Sequence, residues 1–195
     1  MKTHGQATGV ILAAGASGRF PPFKAGALLH GKPLLHHCLE GMWKVCSQII
    51  VVGGSNSETL RSLIGAREGG PVDLVENRGW AGGMFTSVKA GIAGVHTDAA
   101  FILPVDCPLV PPAVYSELLA APGQAVVPVY RGRRGHPVLI REVLFERIAR
   151  EPDVSSLRAV LREIGVAEVD VDAPEVLLDL DTPGDLQRLH PWSPQ

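Results

Sequence analysis

Val10-Ile11-Leu12-Ala13-Ala14-Gly15-Ala16-Ser17-Gly18-Arg19, followed five residues later by Lys24, is the stretch that decides how this chain folds. Its apolar run is short, β-branched at the start and bounded by glycine, which predicts a buried strand. The strand ends in a loop of small residues. Ala13, Ala14 and Gly15 carry nothing bulky that would keep a ligand from the backbone amides, and Arg19 and Lys24 put two cations where an anionic ligand would extend. Amides combined with Arg and Lys are a means of holding polyphosphate. The same residues also read as a tight strand-to-helix turn with two solvated cations.

Three other phosphate-loop patterns do not fit. A dinucleotide fingerprint needs three glycines and an acid near the end of the following strand. The loop has only Gly15 and Gly18, and the next strand ends in Gly53-Gly54. Gly26-Ala27-Leu28-Leu29-His30-Gly31-Lys32-Pro33 matches G-x4-G-K, but Pro33 stands where a magnesium-binding hydroxyl is required, and no strand directly precedes it. A flavodoxin-like loop would want several hydroxyls, and only Ser17 is present.

Outward from that stretch, strand and helix patterns alternate. Strands are expected at 9–13, 48–52, 72–75, 99–104, 125–128, 137–140 and 168–171, and helices at 33–45, 57–64, 84–93, 112–119, 142–150, 155–164 and 182–189. The segment around Tyr130–His136 suggests an antiparallel excursion on a mainly parallel sheet, in which ligands bind off the carboxyl ends of the strands. At 195 residues the chain is expected to form one domain spanning 1–195. A net charge of −2 and few aromatics give no case for nucleic acid, and no apolar run approaches the roughly 20 residues that span a bilayer. The start runs straight into the first strand without a signal-peptide pattern. Three cysteines, Cys38, Cys46 and Cys107, with no C-x-x-C pair suit a reducing, cytoplasmic location.

Two acidic motifs stand out. Asp106 follows the apolar run Phe101-Ile102-Leu103-Pro104-Val105 and precedes Cys107-Pro108, so it sits at the tip of a buried strand. A carboxylate there suits magnesium, which takes one or two carboxylates and leaves its other positions to water and phosphate. The competing role, capping the helix that begins near Pro111, is weakened by the five intervening residues. In Val176-Leu177-Leu178-Asp179-Leu180-Asp181-Thr182-Pro183 the alternation puts Asp179 and Asp181 on one face. Asp181 is expected to cap the helix that follows, which leaves Asp179 as the second cation ligand.

Two loops complete the candidate site. In Asn77–Gly91, Gly82 and Gly83 allow close backbone approach and Ser87 offers a hydroxyl, a patch that can read a nucleotide base or serve as a turn and helix cap. Tyr130–Pro137 concentrates Arg131, Arg133 and Arg134 beside His136, either for a second anionic substrate or as a solvated hairpin tip. This hairpin belongs to the later half of the sheet, so the two substrate sites are expected to be nearly independent. His36-His37 reads as packing or surface.

LAAGASGRFPPFK, GMFTSVKAGI, DCPLV, YRGRRGHPVLI and LLDLDTPGDL occur in the order and spacing of the MobA-like nucleotidyltransferases. Within that family the chain most resembles molybdopterin cytidylyltransferases and the related maturation factors of molybdenum hydroxylases, from about Gly9 to Leu189. The resemblance implies an α/β three-layer sandwich with a mainly parallel mixed sheet, the Rossmann-like fold of nucleotide-diphospho-sugar transferases. It implies transfer of CMP from CTP to the terminal phosphate of molybdenum–molybdopterin, with Mg²⁺. Ala13, Ala14 and Gly15 would contact the nucleotide, Arg19 and Lys24 its phosphates, and Gly82, Gly83 and Ser87 the base. Asp106 would bind magnesium assisted by Asp179, and Arg133, Arg134 and His136 would face the pterin. The family's R-M-G-x-x-K becomes Arg19-Phe20-Pro21-Pro22-Phe23-Lys24, which keeps the spacing to Lys24 but fixes φ at both prolines. Two rivals follow: a non-enzymatic cofactor chaperone for a molybdenum hydroxylase apo-enzyme, and a transferase using GTP or another phosphorylated acceptor.

Overall fold

The computed structural model describes residues 3–15, 23–65 and 70–189. Strands β1 (Thr3–Leu12), β4 (Cys46–Gly53), β5 (Asp73–Glu76) and β6 (Thr97–Pro104) are mutually parallel, with β1 paired to both β4 and β6. Strand β9 (Val138–Arg141) runs antiparallel between β6 and β7 (Ala125–Tyr130), and β10 (Ala167–Asp170) is parallel to β7 at the edge. The order is β10-β7-β9-β6-β1-β4-β5, with the short β8 (Arg133–Arg134) antiparallel on β7 as the sequence suggests.

Period-two alternation sorts the core into two layers. Ile11, Ile49, Val51, Phe101 and Leu103 face helices α1 (Leu34–Trp43) and α4 (Pro112–Ala120), with Leu60 of α2 (Ser57–Gly65) in the same cluster. Their neighbours Val10, Leu12, Ile50, Val52 and Ile102 face α3 (Met84–Ala93), α5 (Phe145–Arg150) and α6 (Leu157–Ile164). Strands covered on both faces read as continuous apolar runs, which is why these segments are legible without alternating polarity. The result is the expected three-layer α/β sandwich with a mixed, mainly parallel sheet. No helix among the described residues is long and apolar enough to cross a membrane.

The structure departs from the sequence reading at several places. Residues 24–33, rejected as a Walker loop, form a 3-10 turn at Lys24–Gly26 and a hairpin of β2 (Leu28–Leu29) with β3 (Lys32–Pro33). The expected helix 155–164 begins at Leu157, because the Ser156 hydroxyl caps it by accepting from the Ala159 amide at 3.1 Å. Residues 174–177 are a 3-10 turn, so the alternation around Asp179 does not belong to a strand. His36 and His37 are structural, as expected: their Nε2 atoms lie 3.0 and 2.9 Å from the carbonyls of Leu63 and Leu29.

Candidate functional site

The carboxyl ends of β1, β4, β5, β6 and β7 share one edge, and the turn entering antiparallel β9 reaches the same edge. Strand pairing therefore brings the loops after Leu12, Glu76 and Pro104 together with His136. The chain leaves β1 with Ala13 still in the ladder, its amide donating to the Val52 carbonyl at 2.9 Å. That corrects one expectation: the Ala13 amide is committed to the sheet and is not available to a ligand. Ala13, Ala14, Gly15, Lys24, Gly83, Ser87 and Asp106 line a cavity of about 350 Å³. Arg19 and Pro21-Pro22 lie outside the described residues.

Asn77, which sequence reasoning passed over, shapes the opposite wall. Its side-chain amide donates to Thr86 Oγ1 at 2.8 Å and to Ser87 Oγ at 2.9 Å, and its Oδ1 accepts from the Gly79 amide at 2.9 Å. One buried amide thus ties the loop after β5 to the first turn of α3, and such fully bonded groups rigidify a site. The Ser87 hydroxyl accepts from Asn77, leaving its own proton for an acceptor. Gly83 has φ +108°, a conformation that favours glycine, and it opens α3 toward the cavity. Trp80, also overlooked, lines the same cavity.

Asp106 caps no helix; α4 begins after Pro111 without a side-chain cap. The backbone carbonyl of Asp106 accepts from the Leu180 amide at 2.9 Å. Leu180 is fully buried with Leu29 and Leu34, packed by Leu178 and Leu186, while the flanking Asp179 and Asp181 are exposed. Ligand atoms of Asp106, Cys107 and Asp179 lie within 4.8 Å of one another. Lys24 Nζ donates to Asp106 Oδ2 at 3.0 Å and to Asp181 Oδ1 at 2.9 Å. Asp181 is therefore not the helix cap expected of it. Thr182 takes that place before α7 (Pro183–Leu189), with its amide and hydroxyl donating to Asp185 Oδ2 at 2.7 and 2.8 Å.

These groups set one another's ionisation. Burial works against the Lys24 charge, but hydrogen bonds to Asp181 and Asp106 outweigh it and raise its pKa. Partial desolvation, reinforced by Asp106 and Asp181, pushes the Asp179 carboxyl up to about 6. Burial first, then Asp106, raises the Cys107 thiol, so it stays protonated and is a poor ligand for a hard cation. Asp106 and Asp179 do fit magnesium. They are oxygen donors, they are crowded by like charge, and one already carries the Lys24 ammonium as a stand-in cation.

Asp179 has a measurable consequence. Its pKa is 3.8 without the fold and about 6 within it, so the native state holds the proton more tightly. Stability from this group is present at low pH and falls as pH rises from about 4 through about 6. Asp179→Asn is expected to raise the melting temperature of EDTA-treated protein at about pH 8 and to have no such effect near pH 3.5. Equal melting temperatures at the higher pH would show that Asp179 is not electrostatically crowded.

Beside the smaller cavity lies one of about 800 Å³, which Gly82, Arg134 and His136 line. The two share Leu12, Gly83, Met84 and Pro104 as walls. The hairpin therefore does not lie apart from the Ala13–Lys24 loop, because the antiparallel β9 folds it back against β6. His136 Nδ1 is buried with no hydrogen-bond partner among the described residues, and burial lowers the imidazole pKa despite the charge of Asp106. Arg134 is exposed and paired with Glu168 at 2.6 Å, a surface bridge that a ligand can displace cheaply. Arg133 is exposed at the hairpin and lines neither cavity, and Arg131 lies over the Tyr130 ring at 5.1 Å. Lys89, two residues past Ser87, holds the far wall of the larger cavity, donating to the Glu151 carbonyl at 2.8 Å and to Asp153 at 2.7 Å.

A three-layer sandwich with small-residue and acidic loops on the carboxyl edge of its sheet is a nucleotidyltransferase fold. The chain belongs to the MobA-like NTP transferase family, whose model matches residues 9–169. It is 27% identical over 177 residues to the molybdenum cofactor cytidylyltransferase of Escherichia coli K12, covering 90% of this chain and 91% of that one. With the molybdenum cofactor guanylyltransferase of Xanthomonas euvesicatoria the identity is 31% over 189 residues, 93% of each. The crystal structure of Rv0371c from Mycobacterium tuberculosis superposes with a TM-score of 0.81 at 27% identity, over 96% of this chain and all of that one. The manganese complex of Rv0371c gives 0.72 at 26% identity, over 96% and 98%. The family's description names transfer from a nucleoside triphosphate as its activity.

Proposed function

We propose that the chain transfers a nucleotidyl group from an NTP to the terminal phosphate of a molybdopterin-type acceptor and releases pyrophosphate. The observation that carries this reading is the juxtaposition of Lys24 and Asp106 in the wall of the smaller cavity with Asp179 beside Asp106, next to a second, adjoining cavity. The smaller cavity would take the nucleotide, with its phosphates against Ala14, Gly15 and Lys24 and its base toward Gly83 and Ser87. The larger would take the acceptor, with His136 Nδ1 and Arg134 as its polar contacts and Gly82 and Met84 near the junction. Arg19 is proposed for the phosphates on its sequence motif alone, and Arg133, at the exposed hairpin outside both cavities, would meet only a part of the acceptor that extends beyond the larger one.

In the reaction an acceptor phosphate oxygen forms a bond to the α-phosphorus while the bond from α-phosphorus to the bridging oxygen breaks, and pyrophosphate departs with that electron pair. The attacking oxygen is already anionic, so no strong base is required. A magnesium ion held by Asp106 and Asp179 would neutralise charge on the triphosphate. Lys24 supplies a further fixed positive charge, and the walls align the two phosphates, so catalysis rests on positioning and electrostatics.

CTP, the expected donor, is supported by the likeness to the E. coli cytidylyltransferase. GTP is supported at least as well, because the Xanthomonas guanylyltransferase aligns over as much of the chain at higher identity. The reading therefore commits to the transfer and leaves both bases as arms of one test. Purified protein with Mg²⁺, molybdopterin and CTP, GTP, ATP or UTP in turn should release pyrophosphate with CTP or GTP, and only when the acceptor is present. Acceptor binding with no turnover of any NTP would overturn the proposal in favour of a cofactor chaperone.

A further inference from the structure

Helix α6 brings two arginines to the larger cavity, Arg158 and Arg162, one turn apart and interleaved with the apolar Leu157 and Leu161. Both are exposed, and neither has a hydrogen-bond or ion-pair partner among the described residues. The arginines around them are matched: Arg147 with Glu163 and Glu151, Arg150 with Glu146, and Arg134 with Glu168. Glu163, next to Arg162 in the chain, is thus committed elsewhere. Arg158 stands in the first turn of α6, where a cation opposes the helix dipole, and Arg162 adds a like charge at the spacing that brings two side chains together. For the helix alone this is an unfavourable arrangement. Asp153, the one acid among the residues lining the cavity, is matched by Lys89 at 2.7 Å. Two unmatched positive charges therefore border a space whose other walls include Phe85, Ile102, Val127 and Val138.

We propose that Arg158 and Arg162 form a subsite for a second anionic group of the acceptor, separate from the phosphate that reacts. The reacting phosphate has to meet the nucleotide at the partition that the two cavities share, which Leu12, Gly83, Met84 and Pro104 build. Helix α6 takes no part in that partition and lines only the larger cavity. The substrate class is accordingly an acceptor with two anionic groups on one largely apolar body. Binding its second anion gives each guanidinium a charge-assisted partner and relieves the repulsion between them. A neutral alcohol phosphate would leave both charges unmatched and bind more weakly. This inference rests on the transferase reading for the identity of the acceptor, not for the existence of the subsite.

The test is calorimetric titration of the full chain, without nucleotide, using molybdopterin and its dephosphorylated form as probes. Arg158→Gln and Arg162→Gln should each weaken molybdopterin binding by roughly fivefold, and the double variant by roughly twentyfold. The dephosphorylated probe should lose affinity by the same factors, because the phosphate is not what these arginines hold. Affinity for CTP and GTP should stay as in the unmodified protein. Arg150→Gln, at an exposed arginine outside the cavity, should leave molybdopterin affinity unchanged. The double variant should melt no lower than the unmodified protein, since like charge has been removed from one helix face. Unchanged acceptor affinity in the double variant, or an equal loss in Arg150→Gln, would overturn the proposal. A loss confined to the phosphorylated probe would also overturn it and assign the arginines to the reacting phosphate. The two layers separate cleanly. Absence of pyrophosphate release with every NTP, alongside the expected binding losses, removes the transferase reading and keeps the subsite; normal turnover with unchanged affinity in the double variant does the reverse. No molybdopterin binding by the unmodified protein overturns both.

Discussion

Asp106→Asn is expected to slow nucleotidyl transfer by at least about a hundredfold, the scale at which losing one preorganised charge-stabilising group acts. The substitution keeps size and shape and removes only the anion. Its backbone role is untouched, since the bond from the Leu180 amide goes to the main-chain carbonyl. The side chain is partly exposed and sits outside the apolar clusters, so circular dichroism and melting in EDTA should stay close to the unmodified protein. The loss therefore belongs to chemistry rather than folding. Pyrophosphate release at saturating Mg²⁺, NTP and acceptor measures it, and turnover within a few-fold of normal would remove Asp106 from the reaction.

Gly135→Ala should combine a folding defect with an activity defect. A Cβ built at Gly135 lies 2.3 Å from the Val176 carbonyl oxygen and 2.7 Å from its carbon, so backbone would have to move. Overpacking of this kind costs about 1–3 kcal/mol. The displaced segments carry residues of the proposed site. Gly135 donates to Pro128 at 2.9 Å, His136 donates to Val176 at 2.8 Å, and Asp179 follows three residues after Val176. A shift of about 1 Å at a reacting geometry can cost up to about a hundredfold in rate. Chemical denaturation and pyrophosphate release should thus both change in this one variant. Preserved stability would mean that the 173–181 segment yields without cost, and preserved turnover would detach His136 and Asp179 from the site.

Much of the architecture is visible in the residues because it rests on local regularities. Val10 and Leu12 against Ile11, or Ile50 and Val52 against Ile49 and Val51, assign two faces of a sheet. Asp106 stands out because an acid at the end of an apolar run has few structural uses. What was misread depends on partners distant in sequence. Asp181 looks like a cap because a Thr-Pro pair follows it, yet its partner Lys24 is 157 positions away. Asn77 attracts no notice in the sequence because the hydroxyls it binds, Thr86 and Ser87, belong to the next helix. The Ala13 amide looks available because only the strand register shows that Val52 takes it. The two-residue strands β2 and β3 are too short to leave any periodicity.

The shared walls of the two cavities carry a thermodynamic obligation. Gly83 and Met84 begin α3 and border both spaces, and Pro104 borders both from the sheet. Any occupant that orders Met84, whose side chain is largely exposed, alters the surface its neighbour meets. Linkage then makes the influence mutual: whatever factor the donor imposes on acceptor affinity, the acceptor imposes on donor affinity. Under the proposed assignment of the two cavities, any coupling between donor and acceptor would be carried by this shared partition.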